Sequence, residues 1–142
     1  MTKLTLSEAE AILAGTLRRG EQLGKALSVA IVDAGGHLIS AKRSDGARAL
    51  TPSIAIAKAY SAAIMERPTN MLRDWAQSNP GFFAQLSEMA AHPIVATEGG
   101  VTIKRNGEIL GGLGVSGGTP AEDQQACEEA LSELGYDLVF KT

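Results

Sequence analysis

A single cysteine, Cys127, leaves this 142-residue chain without an internal disulfide or a cysteine-based metal cluster. Histidine is nearly as scarce. His37 and His92 are the only two, too few for a closed metal site without paired cysteines. Basic residues are outnumbered, 13 against 16 acidic, and lie scattered rather than in a stripe, which argues against a nucleic-acid-binding face. No apolar run approaches the roughly 20 residues that a membrane span needs. The opening Met-Thr-Lys leads directly into a polar helix start, so no signal peptide is expected, and the expected compartment is the cytoplasm. There is no P-loop and no Gly-x-Ser-x-Gly elbow. With 44% hydrophobic and 20% charged residues, the chain reads as an ordinary globular protein, one domain spanning 1–142.

Glycine, by contrast, is concentrated where it normally weakens structure. Gly111, Gly112, Gly114 and Gly117 fall in or just after a strand that ends in Ser-Gly-Gly-Thr-Pro. Glycine in a strand has no side chain to pack and a high entropy cost, so such a strand implies close approach by a ligand, a partner subunit or a packed helix. The Gly111-Gly112-Leu113-Gly114 run does not fit the dinucleotide fingerprint, because it sits inside a hairpin strand rather than between a strand and a helix.

The elements follow from local signals. Thr5-Leu6-Ser7-Glu8 forms a capping box, Ala9, Ile12, Leu13 and Leu17 recur at helical spacing, and Gly24 ends the helix. Strands are predicted over 28–33 and 37–43, joined by Gly35-Gly36. Thr51-Pro52 opens an alanine-rich helix reaching about Met65. Thr69 or Asn70 caps a further helix through Trp75, and Asn79-Pro80-Gly81 reads as its terminating turn. Phe82 to Ala91 is a short helix or lid. Strands over 101–105 and 108–115 flank Asn106-Gly107, the strongest short hairpin signal in the chain. Thr119-Pro120-Ala121-Glu122 caps a last helix whose inner face is Ala126, Cys127, Ala130, Leu131 and Leu134, with Gly135 after it. A hairpin followed by a proline-started helix thus occurs twice, and the predicted class is α+β: an antiparallel sheet with helices on one or both faces.

Several polar residues are candidates for chemistry. Asp33, Arg43, Asp45 and Lys58 are expected to converge if the first hairpin packs against the helix that follows. Lys58 lies among Ala55, Ala57, Ala59, Ala62 and Ala63, so it is expected to point into a pocket or interface. The helix starts near Ser53 and Thr119 offer free amides, and Ser116-Gly117-Gly118 reads as a nest for a carboxylate. His37 follows a tight turn, while His92 precedes Pro93 at the end of the lid.

The segments Asp33-Ala34-Gly35-Gly36-His37-Leu38, Arg43-Ser44-Asp45-Gly46-Ala47, Ser53 to Ala59, Gly99-Gly100-Val101 and Gly107 through Gly117 together resemble the GlcG/HbpS family over about 25–135. That family includes extracellular haem-binding proteins and the C-terminal domain of PduO-type corrinoid adenosyltransferases. The resemblance implies a profilin-like α+β domain, a homo-oligomer built from dimers up to octamers, and haem or another tetrapyrrole as ligand in some members. It carries Asp33, Arg43, Asp45, Lys58, Gly99, Gly100, Ser116 and Gly117 as motif positions.

Two functions are therefore expected from the sequence. The first is haem binding, with His37 or His92 as ligand and Arg43 and Lys58 serving the propionates. The second is cofactor-independent acid/base catalysis on a small carboxylate or ring compound, as in a lyase, isomerase or decarboxylase, with Lys58, Asp33 or Glu98 as the proton-transferring group. In either case the pocket is placed where the 109–115 strand ends against the 53–65 helix, beneath the Phe82–His92 lid. The alanine-rich helix and glycine-rich strand are also expected to serve as flat subunit contacts in a dimer or larger assembly.

Overall fold

A computed structural model describes residues 3–140. Within it, the capping box at Thr5 is formed in full and starts helix α1 (Leu6–Leu23), which ends on Gly24 in the left-handed region. Strands β1 (Ser28–Asp33) and β2 (Leu38–Arg43) form the first hairpin. Helix α2 (Thr51–Ile64) follows. A 3-10 turn (Thr69–Leu72) leads into α3 (Arg73–Ser78) and α4 (Pro80–Met89). The second hairpin, β3 (Gly100–Arg105) and β4 (Glu108–Ser116), turns on Asn106 and Gly107, both at positive φ, before α5 (Pro120–Glu133). Among the described residues no helix is long and apolar enough to cross a membrane.

The four strands make one antiparallel sheet in the order β2-β1-β4-β3, so the two hairpins join through their inner strands. Side-chain alternation then divides the core in two. Val29, Ile31, Val101, Ile103, Leu113 and Val115 face α1 and α5, meeting Ile12, Leu13, Cys127 and Leu131. Ala30 and Val32 face α2, meeting Ala55, Ala59 and Ala63. A third cluster of Tyr60, Leu72, Phe83 and Ile94 seats α3 and α4 against the far end of α2.

The packed helix accounts for the glycine-rich strand. A Cβ on Gly114 would fall against the carbonyl of Ala55 and 2.5 Å from the amide nitrogen of Ala59; one on Gly112 would fall against the carbonyl of Ala59. The alanine face of α2 and the glycine face of β4 therefore consume each other within one chain. This corrects the expectation that these two surfaces form subunit contacts.

Two local readings also need correction. Helix α3 does end at Asn79, as expected, but Pro80 is not only a stop: it occupies the first turn of α4, where its missing amide costs nothing. Thr69 does not cap a helix. Its hydroxyl instead donates to the carbonyl of Thr97 and accepts from the amide of Gly100, pinning the approach to β3.

Candidate functional site

The N-terminus of α2 separates two adjoining hollows. One is a polar cavity of about 570 Å³ between the 46–51 loop and the end of β4, lined by Lys25, Arg48, Thr51, Ser116 and the 117–119 backbone among others. The other is an apolar groove of about 390 Å³ along the outer side of α2, lined by Ser53, Ile56, Ala57, His92, Pro93 and Val95. Leu50 and Ile54 belong to both walls, so the hollows meet across the first turn of α2.

His92 is held on its groove by a strap. The Ala91 amide donates to the Tyr60 hydroxyl at 3.0 Å, the Val95 amide donates to Ser61 Oγ at 2.8 Å, and the Ile94 amide donates to Ser87 Oγ at 2.8 Å. Tyr60 also meets the His92 ring edge-on, at 5.0 Å between centroids and 65° between planes. The backbone is thus fixed to α2 on both sides of the imidazole. The imidazole itself makes no hydrogen bond among the described residues.

Lys58 is buried, at 3% exposure, and reaches across the sheet's end rather than into the cavity. Its Nζ donates to the Val115 carbonyl at 2.9 Å and to Asp123 Oδ2 at 3.2 Å. Asp123 Oδ1 in turn accepts from the Gly118 amide at 2.9 Å. Burial pushes the Asp123 carboxyl up, while the Lys58 ammonium and the Gly118 amide pull it down only partly. The pair links α2 to α5 and orients the loop that floors the polar cavity. Gly99 is bare for the same reason: at φ +114, its Cβ would lie 2.8 Å from Lys58 Nζ. Gly100 has no more room: a Cβ there would lie 2.5 Å from the Lys58 carbonyl oxygen.

The anticipated cluster of Asp33, Arg43, Asp45 and Lys58 does not form. Asp33 pairs with Gly111 at one end of β1, whereas Arg43 pairs with Ser28 at the other, and both Arg43 and Asp45 are exposed. Asp33 Oδ1 accepts from the amides of Gly35 and His37, closing the turn that carries an exposed His37. Glu98 is ion-paired with Arg73 at 2.9 Å.

The nest at Ser116-Gly117-Gly118 is also altered. The Gly118 amide is taken by Asp123, and the Thr119 amide by Glu122 Oε1 at 2.8 Å, so the start of α5 is satisfied by its own carboxylates. Nor does the lid cover this cavity. Phe83 of α4 packs on Tyr60, Leu72 and Ile94, and Trp75 meets Phe83 edge-on and Phe82 at a tilt, at the opposite end of α2.

Arg48 is the cavity residue that sequence reading passed over. It follows the Arg43-to-Ala47 segment by a single position, but only the fold of the 44–50 loop puts that arginine, rather than Arg43, on the wall of the cavity that Ser116 also lines.

Comparison with known proteins agrees with this architecture. A family model described as haem degrading protein HbpS-like matches residues 4–132. Protein GlcG of Escherichia coli K12 is 32% identical over 117 residues, 81% of this chain and 84% of GlcG. Corrinoid adenosyltransferase PduO of Citrobacter freundii is 29% identical over 131 residues, which are 92% of this chain but only 39% of PduO. Among solved structures, a PduOC–haem complex superposes with a TM-score of 0.87 at 26% identity, covering 96% of this chain and 98% of that one. HbpS superposes with a TM-score of 0.84 at 27% identity, covering 95% of this chain and 92% of that one.

Proposed function

The chain belongs to the HbpS-like family of haem-degrading proteins, and from that premise we propose that it binds haem or a related tetrapyrrole in the groove beside His92. The observation that carries this reading is an imidazole without a hydrogen-bond partner among the described residues, set in the wall of an apolar groove and fixed from both sides by the 91–95 strap. A tetrapyrrole needs an apolar slot for its ring, an axial donor and cations near its acid groups. Ile54, Ile56, Ala57, Pro93 and Val95 supply the slot, and His92 supplies the donor. When bound, haem would contribute its iron as the acceptor for the imidazole.

His37 offers a poorer setting. It stands exposed on the turn that the Asp33 carboxylate closes, and its cavity of about 330 Å³ carries that carboxylate on its wall, whereas the groove beside His92 is lined by no acidic residue. Lys58 is committed to Asp123 and Val115, which weighs against a role as the proton-transferring group. The reading extends to self-association. Supporting it, β2 is an edge strand with most of its residues exposed, Leu38 at 54% among them.

Titration of the purified protein with haem tests the assignment. A Soret shift is expected for the wild type and for His37→Ala, and its loss or marked change for His92→Ala. No shift in the wild type would refute haem binding; an unchanged spectrum for His92→Ala would refute the choice of ligand.

A further inference from the structure

The polar cavity beside the His92 groove contains a donor that the fold leaves unused. Ser116 closes β4 on the same face as Gly112 and Gly114, so its side chain is directed towards the first turn of α2. The residue is 6% exposed and lines the cavity, yet its hydroxyl makes no hydrogen bond among the described residues. The oxygen is not sealed in, because no described side-chain polar atom is both enclosed and unpaired. Its opening is therefore the cavity itself. Its neighbours are already engaged: Ser28, opposite Ser116 in the ladder, bonds to Thr51 Oγ1 at 2.8 Å, and Thr51 Oγ1 donates to the Arg48 carbonyl at 2.7 Å.

The charges around this hydroxyl cancel except at one residue. Glu122 is balanced by Lys25 at 3.7 Å, and Asp123 by Lys58 at 3.2 Å. Arg48, on the cavity wall, has no acidic partner among the described residues. The adjacent α2 has no side-chain cap at Leu50; its Thr51 amide donates to the Arg48 carbonyl and Pro52 has no N–H, so its first turn adds its dipole, rather than free amides, to the wall of the same space. Helix α5, by contrast, is fully capped.

We propose that this cavity is a carboxylate subsite, in which Arg48 supplies the charge, Ser116 Oγ donates a hydrogen bond and the uncapped start of α2 adds its dipole. Guanidinium and hydroxyl together suit a planar two-oxygen anion. The carboxylate has two possible sources: an acid side chain of a ring lying in the His92 groove, or a free small acid. The first rests on the haem reading above; the second does not.

Two titrations on the wild type, Arg48→Gln and Ser116→Ala separate these sources. In the first, haem is compared with haem dimethyl ester, which keeps the ring and lacks the carboxylates. In the second, benzoate is titrated alone by calorimetry. For a ring-borne carboxylate, the wild type binds haem more tightly than the ester. Arg48→Gln then weakens haem roughly tenfold or more, the loss expected for a charge-assisted hydrogen bond, and leaves the ester unchanged. Ser116→Ala weakens haem a few-fold. For a free acid, benzoate binds the wild type and is lost from Arg48→Gln, whether or not haem binds. Arg48→Lys recovers part of either signal. If neither haem nor benzoate responds to Arg48→Gln and Ser116→Ala, the subsite does not exist. Failure of haem alone to bind removes the haem reading and leaves the benzoate arm to decide this one.

Discussion

Substituting Gly114 by alanine should be among the most damaging single-methyl changes available in this chain. Strand β4 cannot step aside to make room, because Gly114 is paired with Ala30 on one flank and with Gly100 on the other. The new Cβ would sit against the Ala55 carbonyl and 2.5 Å from the Ala59 amide nitrogen, both backbone atoms that no rotamer change can move. Helix α2 would have to lift by on the order of 1 Å. That opens the layer where Ala55, Ala59 and Ala63 meet Ala30 and Val32, and a gap of ~0.5–1 Å forfeits a quarter to a half of each contact's attraction. Overpacking a core typically costs ~1–3 kcal/mol. With backbone on both sides of the clash, the expected loss is at the upper end, about 3 kcal/mol, a large share of the ~5–15 kcal/mol that holds a domain together. Gly81→Ala is the internal control. Gly81 lies in α4, and a methyl there would meet nothing within 4 Å, so the same change should stabilise by about 0.5–1 kcal/mol. Urea unfolding followed by circular dichroism measures both. A Gly114→Ala protein within about 1 kcal/mol of wild type, or a Gly81→Ala protein as damaged as Gly114→Ala, would refute the packing argument.

Other consequences can be measured on the same material. Asp123→Asn strands the buried Lys58 ammonium and should cost about 3–5 kcal/mol; Lys58→Met should cost less, since the Asp123 carboxyl, already pushed up by burial, can take up a proton, and the reverse order in denaturant melts would count against this account. The Glu8 carboxyl is held below its ordinary value, first by the Thr5 amide and then by the Arg105 guanidinium. Its contribution is therefore complete above the ordinary carboxylate range and lost as pH falls through the lowered value, so Glu8→Gln should flatten the acid limb of a stability–pH curve. Thr5→Ala should lower stability by about 1 kcal/mol through loss of the α1 cap, measurable as a shift in the urea midpoint. Light scattering should give a mass at least twice the 14.8 kDa of one chain; a monomer at micromolar concentration would exclude self-association.

Much of the architecture was legible in the sequence, because the signals for it act within a few residues. Both capping boxes, the Asn106-Gly107 turn, the prolines opening α2 and α5, and the glycine that ends α1 each depend on backbone geometry over one turn, and each appears in the structure. The glycine-rich strand announced a close approach, and the α+β class followed from two hairpins separated by helices. Where Pro80 and Thr69 were misread, the local signal was ambiguous: a proline after asparagine serves a turn and a helix start equally well, and a threonine hydroxyl goes to whichever backbone group the tertiary fold brings nearest.

What the sequence by itself determined, then, was the set of elements and the need for a bare backbone in β4. Only the tertiary structure decided what fills that space, which is α2 rather than a ligand or a second subunit. It likewise decided that Lys58 faces Asp123, 65 positions away, and that Asp33 and Arg43 stand at opposite ends of one hairpin. It put Arg48 rather than Arg43 on the wall of the cavity that Ser116 lines and set His92 on a groove whose wall is α2. The physical reason is common to all of these. Hydrogen-bonded turns and caps are closed by neighbours in the chain. Ion pairs, cavities and packed faces are closed by residues that only the folded sheet brings within reach.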